Sequence, residues 1–163
     1  MRRAMRNLAV AAVATGLLIG PGAIAPSSAR GAAAPAEEHC VVRVTERDAS
    51  GRLHLTRPDC APTRGEALRS AGVSATADWP IGIHYDGPSL TGSSLTVVGA
   101  DCTGGWLNLP AGWSNRISST MHGCPRIRHF DGYWLISPEE TTLSPGGNLI
   151  ALNNRPSSIQ YLP

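Results

Sequence analysis

Two stretches of this chain carry the same landmarks in the same order, and this duplication constrains the fold more than any other feature of the sequence. The first stretch opens with His84-Tyr85-Asp86-Gly87, and the second opens with His129-Phe130-Asp131-Gly132. Each then has a glycine pair and closes on an Asn-Arg-x-Ser-Ser phrase, at 104–105 and 115–119 in the first copy and at 146–147 and 154–158 in the second. Matching landmarks joined by loops of different length are typical of a duplicated structural unit.

Each copy is predicted to contain four short strands separated by glycine, proline and serine turns. The first set falls at 82–86, 93–98, 105–108 and 116–121, and the second at 126–130, 139–143, 148–151 and 157–162. Two repeated sets of short strands predict a mainly β fold, with a two-sheet antiparallel sandwich over residues 81–163.

The beginning of the chain has the features of a secretion signal. Three arginines lie within the first six residues, ahead of an apolar run at 8–19 that is too short to span a bilayer comfortably. Ala23-Ile24-Ala25 fits a small-residue cleavage site, although cleavage as late as residue 34 is also compatible with the sequence. We therefore expect residues 1–25 to be removed, residues 26–39 to form a disordered tail, and the protein to be secreted without a membrane anchor.

The charge of the mature chain is expected to be close to neutral. Loss of the three leading arginines leaves 11 of the 14 cationic residues against 12 acidic ones. A chain without a basic cluster lacks the electrostatic signature of a nucleic-acid binder. We expect a monomer with no nucleic-acid partner.

A small module that precedes the duplicated stretch is predicted to contain a hairpin and a helix. Strands at 40–45 and 52–56 flank a turn sequence and form the hairpin. Thr63-Arg64-Gly65-Glu66 matches a capping box at the start of a short helix. A lone hairpin is marginal in water, so we expect the helix to cover its apolar face. The module spans 40–72, and a linker follows at 73–80.

The four cysteines suit an exported protein with two disulfides. Sequence alone allows three pairings. We favour Cys40–Cys60 and Cys102–Cys124, because each pair then stays within one predicted module. Closing a loop of about 20 residues stabilises the native state by roughly 3 kcal/mol in the chain-entropy model.

The duplicated unit resembles the βγ-crystallin Greek-key family over residues 81–163. That family marks each key with an aromatic residue, a bulky residue five positions on and a glycine two positions later, which here correspond to Tyr85, Leu90 and Gly92, and to Phe130, Leu135 and Ser137. The glycine supplies a positive φ that other residues adopt only at a cost. Ser137 departs from this pattern, so we expect a distorted or looser first hairpin in the second key.

The resemblance also implies a pair of calcium sites. The family phrase of two Asn/Asp residues, any two residues, Ser/Thr and Ser is matched fully at 153–158, and at 114–119 except for Ser114. The implied ligands are Asn153, Asn154, Ser157 and Ser158 crossing with Asn115, Ser118 and Ser119, and the candidate carboxylates are Asp86 and Asp131. Because calcium affinity follows ligand charge and neither phrase holds a carboxylate, we expect weak binding. In the alternative interpretation, the phrases are structural Asx turns that need no ion.

The overall layout also resembles small secreted bacterial proteins grouped with the Streptomyces metalloproteinase inhibitor and the killer-toxin-like proteins. This resemblance implies an extracellular binder whose partner is a peptidase or a cell-surface component. For inhibition, the expected feature is a rigid, disulfide-held loop, because a loop already in its bound shape loses less entropy on docking. Cys124-Pro125-Arg126 and 101–105 are the candidate loops.

Catalytic interpretations find little support in the sequence. His122-Gly123-Cys124 with His129 fits no familiar zinc spacing, and Cys124 is expected in a disulfide. Glu139 and Glu140 are neighbours on a predicted strand, so their side chains point to opposite faces and make a poor acid/base pair. The sequence has neither a nucleophile elbow nor a P-loop. We expect a protein that is not an enzyme.

Overall fold

The computed structural model describes residues 36–74, 80–99 and 101–163. The predicted signal peptide lies outside these residues, as do most of the predicted tail and linker. Among the described residues, no helix is long and apolar enough to cross a membrane.

The described chain is mainly β, with two sheets and one short helix, α1, at Arg64–Ser70. The strands of the N-terminal segment are β1 (His39–Arg47), β2 (Leu53–Leu55) and β3 (Asp59–Ala61). The strands of the first copy are β4 (Pro80–Tyr85), β5 (Ser94–Val98), β6 (Trp106–Asn108) and β7 (Ser119–His122). The strands of the second copy are β8 (Arg126–Phe130), β9 (Glu139–Leu143), β10 (Gly146–Asn148) and β11 (Ser158–Leu162). Short 3-10 turns occupy Pro88–Leu90 and Tyr133–Leu135.

The two copies exchange their third strands between the sheets. The first sheet has the order β10-β7-β4-β5-β1-β2, with β3 also paired to β1, and the second has the order β6-β11-β8-β9. Thus β6 of the first copy lies in the sheet of the second copy, and β10 of the second copy lies in the sheet of the first. Neither sheet is complete without a strand from the other copy, so the two halves fold as one core.

The strand register corrects the alignment of the two glycine pairs. Ser119 pairs with Asn148, and its counterpart Ser158 pairs with Asn108. Counting along each strand therefore makes Gly146, which pairs with Met121, the structural counterpart of Trp106, which pairs with Gln160. The glycines at 104–105 precede β6 and are not structural counterparts of those at 146–147. The alignment of the two glycine pairs was wrong because hydrogen-bond register, and not residue type, decides which residues are equivalent.

Two predicted strands also shift for a physical reason. The strand predicted at 116–121 is observed at Ser119–His122, and the one predicted at 148–151 is observed at Gly146–Asn148. The residues that leave these strands belong to the turns that contain Asn115 and Asn154. Both asparagines have positive φ, 59° and 57°. This left-handed conformation does not continue a strand.

The hairpin predicted to be distorted or looser at Ser137 keeps the closing hydrogen bonds of its counterpart, and its Ser137–Pro138 peptide bond is cis. In the first copy, Asp86 N donates to Ser93 O at 3.1 Å and Gly87 N donates to Thr91 O at 3.0 Å. In the second copy, the equivalent bonds from Asp131 N to Pro138 O and from Gly132 N to Ile136 O are both 3.0 Å. Gly92 has a φ of 80°, whereas the φ of Ser137 is not positive. The second hairpin therefore keeps its closing bonds without the expected glycine.

The N-terminal segment extends the first sheet. β1 runs antiparallel to β2 and parallel to β5, with Val42 in register with Val97. β1 begins at His39, inside the predicted tail, and the Glu38 amide donates to Ser93 Oγ at 3.1 Å. The covered edge of β5 is apolar, whereas the free edge strand β9 begins after Pro138 with two glutamates. Charged residues and proline are the usual protection of an exposed strand edge.

Helix α1 covers the outer face of the first sheet. Thr63 is its N-cap and accepts from the Glu66 amide at 3.3 Å, as the capping box predicts. Ala67 is fully buried against Val41 of β1 and Val98 of β5. The inner faces of the two sheets meet in a separate core that includes Leu95, Leu107, Ile117, Ile127 and Ile159, all with no exposed surface.

Both predicted disulfide pairings are confirmed. Cys40 bonds to Cys60, its register partner on β3, and Cys102 bonds to Cys124. No cysteine among the described residues is free. Two disulfides suit an oxidising compartment such as the extracellular space.

Candidate functional site

The two Asn-Arg-x-Ser-Ser phrases meet across the centre of the duplicated unit. Asn154 N donates to Ile117 O at 2.9 Å, and Asn115 N donates to Pro156 O at 2.8 Å. Each phrase is thus held by a backbone hydrogen bond to the other. The structure brings together most of the residues that the sequence assigns to the candidate calcium sites.

One crossing, the first cross-brace, gathers three oxygen atoms from three segments of the chain. Ser118 Oγ lies 2.8 Å from the Asp86 carbonyl oxygen and 2.9 Å from Asn154 Oδ1. A serine hydroxyl has one proton, so it can donate fully to only one of these two acceptors. The surplus of acceptor oxygens over protons is a feature that a hard cation can satisfy.

The other crossing, the second cross-brace, is less open to a cation. Ser157 Oγ lies 3.4 Å from Asn115 Oδ1 and 2.8 Å from Ser114 Oγ. Two hydroxyls bring two protons, so this cross-brace can satisfy its own acceptors. Ser114 stands where the family phrase has Asn or Asp. The cross-brace that departs from the family phrase is therefore also the one whose acceptors are satisfied by its own hydroxyl protons.

The two candidate carboxylates are engaged by arginines of the same phrases. Asp86 Oδ2 accepts from Arg116 Nη2 at 2.9 Å and from Arg116 Nε at 3.2 Å. Asp131 Oδ2 accepts from Arg155 Nη2. Asp86 therefore offers its carbonyl oxygen to the first cross-brace while its carboxylate is bound elsewhere.

Two of the predicted ligand serines hold the hairpin turns. Ser119 Oγ donates to Gly87 O at 2.7 Å and accepts from Leu90 N at 2.9 Å. Ser158 Oγ makes the same pair of bonds, to Gly132 O at 2.7 Å and from Leu135 N at 3.1 Å. The last serine of each phrase is therefore committed to its own copy. The remaining predicted ligand, Asn153, is exposed.

Two asparagines that sequence reasoning missed complete this arrangement. Asn148 Oδ1 accepts from Ser89 N at 2.6 Å, and Asn108 Oδ1 accepts from Trp134 N at 2.8 Å. Each asparagine ends an exchanged strand and fastens the turn of the other copy. The sequence does hold a signal for them, because both copies have an asparagine at the same position of the exchanged strand. The match becomes visible only when the two copies are aligned by strand register.

A buried polar cluster lies beneath the phrases. His84 and His129, equivalent residues of the two copies, have no exposed surface, and their rings are 5.9 Å apart edge to face. His84 bonds to Tyr161 Oη and to Thr120 Oγ1, both at 3.1 Å. Neither ring nitrogen of His129 makes a hydrogen bond of normal geometry, although a contact with the Glu140 backbone partly opposes the fall of its pKa. Burial is costly for a charged ring, so the pKa of His84 is well below its ordinary value and the pKa of His129 falls to about 3.

The histidine and cysteine side chains do not assemble a zinc site. His122 bonds to the Cys124 carbonyl oxygen at 2.8 Å and to Thr142 Oγ1 at 3.1 Å. Within 36–74, 80–99 and 101–163, the one group of three potential metal ligands is Glu38, Cys40 and Cys60. Its two sulfurs are joined in a disulfide, so they are not available as thiolates.

Neither a protein-family model, nor a curated protein, nor a solved structure matches this chain. The functional interpretation therefore depends on the geometry of the chain itself.

Proposed function

We propose that this chain is a secreted, non-catalytic, βγ-crystallin-like Greek-key protein that binds calcium weakly at the first cross-brace. The observation that carries the proposal is the convergence of Ser118 Oγ, Asp86 O and Asn154 Oδ1, with fewer protons than acceptors. The exchange of the third strands between the copies supports the kinship, because it makes the two phrases meet.

The ligands at the first cross-brace are a hydroxyl, a carbonyl and an amide oxygen. Calcium accepts such neutral oxygens in a flexible shell, but its affinity rises with the number of carboxylates. With the Asp86 carboxylate held by Arg116, we expect dissociation constants on the order of 10⁻⁴–10⁻³ M, the range of extracellular calcium modules. Bound calcium tightens the junction of three segments and stabilises the native state by mass action.

A thermal unfolding series tests this proposal. The melting temperature of the mature protein is expected to rise in millimolar calcium and to return to its starting value in excess EDTA. Magnesium at the same concentration is the control, because it demands a near-ideal octahedral shell and keeps its water. If the calcium and magnesium curves coincide, the phrases are structural turns and the calcium proposal fails.

Peptidase inhibition is a second candidate, and one observation favours it. The Cys102–Cys124 disulfide joins both predicted loops, in which Asp101, Thr103, Pro125 and Arg126 are exposed. Arg47 Nη2 further donates to Thr103 O at 2.9 Å, so the first loop is fixed at two adjacent residues, Cys102 and Thr103. A rigid exposed loop is the form that a protease inhibitor presents.

The inhibition candidate is tested by titrating purified protein against thermolysin-like and subtilisin-like peptidases. A stoichiometric loss of peptidase activity supports it, and Arg126→Ala should then weaken inhibition if the second loop makes the contact. Undiminished activity at a molar excess of the protein excludes it for these two classes.

A further inference from the structure

The 3-10 turn of the second copy carries large apolar side chains that the turn itself does not need. Tyr133, Trp134 and Ile136 are 46%, 56% and 60% exposed. The equivalent turn of the first copy forms with Pro88-Ser89-Leu90-Thr91 and the same backbone. Ser89 has φ 55° and Trp134 has φ 61°, both left-handed. A bulky residue is strained in that conformation, and more than half of the Trp134 surface stays exposed, so burial gives little reason for a tryptophan at this position.

Trp134 is held in place rather than left free. The guanidinium carbon of Arg52 lies 4.4 Å from the Trp134 ring centroid, and the Trp106 ring meets Trp134 edge to face at 5.7 Å. Trp106 Nε1 donates to Ser50 O at 3.2 Å, which fixes the second indole. We call Arg52, Trp106 and Trp134 the Trp–Arg stack. A pre-ordered aromatic surface loses little entropy when it binds a ligand.

The Trp–Arg stack continues into the outer face of the second sheet. Leu107, Ile159 and Ile127 point into the core, so their strand neighbours point outward. The outward row that starts at Trp106 runs across the paired strands through Gln160, Arg128 and Thr141. Helix α1 packs on the other sheet, against Val41 and Val98, and leaves this row open.

The charge on this face is positive, although the chain as a whole is nearly neutral. Three arginines, Arg52, Arg126 and Arg128, lie here with two acidic residues. Glu139 lies 3.4 Å from Arg128, and Asp48 Oδ1 accepts from the Arg52 amide at 3.0 Å. Arg126 donates to the Pro163 carbonyl oxygen at 2.9 Å. Within the described part of the chain, Arg52 has no ion-pair partner and its guanidinium makes no hydrogen bond, so its N–H groups are available to a ligand. This charge favours an anionic partner.

We propose that the Trp–Arg stack and the adjoining row of the second sheet bind a carboxylate-bearing polysaccharide. A sugar ring has apolar C–H faces that stack on an indole, and its rim of hydroxyls matches the amide of Gln160 and the hydroxyl of Thr141. The arginine fork pairs with a carboxylate. A protein partner would instead favour a desolvated centre depleted of charge, whereas here charged and polar groups alternate with the aromatic rings. This proposal is independent of the calcium proposal.

Tryptophan fluorescence titration of the mature protein with polygalacturonate tests the proposal, and EDTA is present throughout so that calcium plays no part. The wild-type protein is expected to bind. Trp134→Ser introduces the residue that the first copy has at the equivalent position, Ser89. Arg52→Gln removes the arginine of the stack. Each is expected to weaken binding by about tenfold or more, as aromatic and arginine hot spots do. Because Trp134→Ser removes a tryptophan that reports binding, the affinity of this variant is measured by calorimetry.

Matched controls separate recognition from general charge and from misfolding. Arg57→Gln removes an exposed arginine outside the stack and is expected to change affinity by less than about twofold. The melting temperatures of all variants establish that they fold. The proposal is overturned if polygalacturonate does not bind, if Trp134→Ser binds like the wild type, or if Arg57→Gln matches the loss of Arg52→Gln. Equally tight binding of polyglutamate also overturns it, since the face would then recognise acidic polypeptides.

Discussion

Asparagine is the residue that allows the two phrases to cross. Asn115 and Asn154 both adopt a left-handed backbone, which asparagine tolerates better than other residues with a side chain apart from aspartate. The same residues present Oδ1 to Ser157 and to Ser118 of the opposite phrase. Conformational tolerance and an acceptor oxygen are both needed at these positions, so the phrase can be an architectural turn and a ligand set together.

Acid is expected to destabilise the fold through the buried histidines. The pKa of His129 falls from an unfolded value of 6.5 to about 3, so the unfolded state binds more protons between these limits. The contribution of His129 to stability is therefore fully present above pH 6.5 and is lost progressively as the pH falls toward 3. His84, whose pKa is also lowered, acts in the same direction.

His129→Leu tests this cause. Leucine removes a buried ring that makes no hydrogen bond of normal geometry, so the variant should be at least as stable as wild type at pH 7 and clearly more stable at pH 5. Denaturant unfolding across pH 4.5–7.5 measures the slope, and His54→Gln at an exposed histidine is the control. A wild-type slope retained in His129→Leu would mean that another group causes the acid sensitivity.

The positions of most strands could be predicted because glycine, proline and serine turns separate them. The disulfide pairings followed from keeping each pair within one predicted module. The strand exchange, the parallel β1–β5 pairing and the glycine alignment could not be predicted, because they depend on long-range register. The two aspartates were chosen for their repeat positions, and sequence spacing did not show that Arg116 and Arg155 would take their carboxylates.

At the scale of elements, the exchanged strand β10 packs closely against its acceptor strand β7. A Cβ on Gly146 would lie 2.1 Å from the Thr120 carbonyl oxygen, and Gly146 has φ 115°. A Cβ on Gly147, the next residue, would meet nothing within 4 Å. The two adjacent glycines therefore differ sharply in their tolerance of a side chain.

Gly146→Ala is expected to lower the free energy of unfolding by about 3 kcal/mol, because backbone must move and the φ is strained. Gly147→Ala should stay within about 0.5 kcal/mol of wild type. Chemical denaturation of both variants measures the difference. Equal effects would show that β10 does not lie against β7 in the described register.

At the scale of the whole molecule, the N-terminal segment is part of the sandwich. β1 covers the edge of β5, and α1 covers the outer face that includes Val98. An apolar strand edge without its cover is a site of self-association. The duplicated unit therefore depends on residues that precede it in the chain.

A truncation measures this dependence. The fragment 75–163 is expected to have a lower melting temperature than the fragment 36–163. It is also expected to self-associate, because it lacks β1 and so exposes the edge of β5. Sedimentation velocity distinguishes the two fragments. A monomeric fragment 75–163 with an unchanged melting temperature would show that the N-terminal segment is an addition that the sandwich does not need.

Isothermal titration with calcium, on the wild type and two variants, tests the central proposal most directly. Asn154→Gly keeps the left-handed turn but removes Oδ1, whereas Ser114→Asp adds a carboxylate beside Ser157. We expect weak binding by the wild type, loss of the first site in Asn154→Gly, and tighter binding in Ser114→Asp because affinity follows ligand charge. A wild type without binding heat, or an Asn154→Gly titration identical to that of the wild type, would contradict the assignment of the first cross-brace as a calcium site.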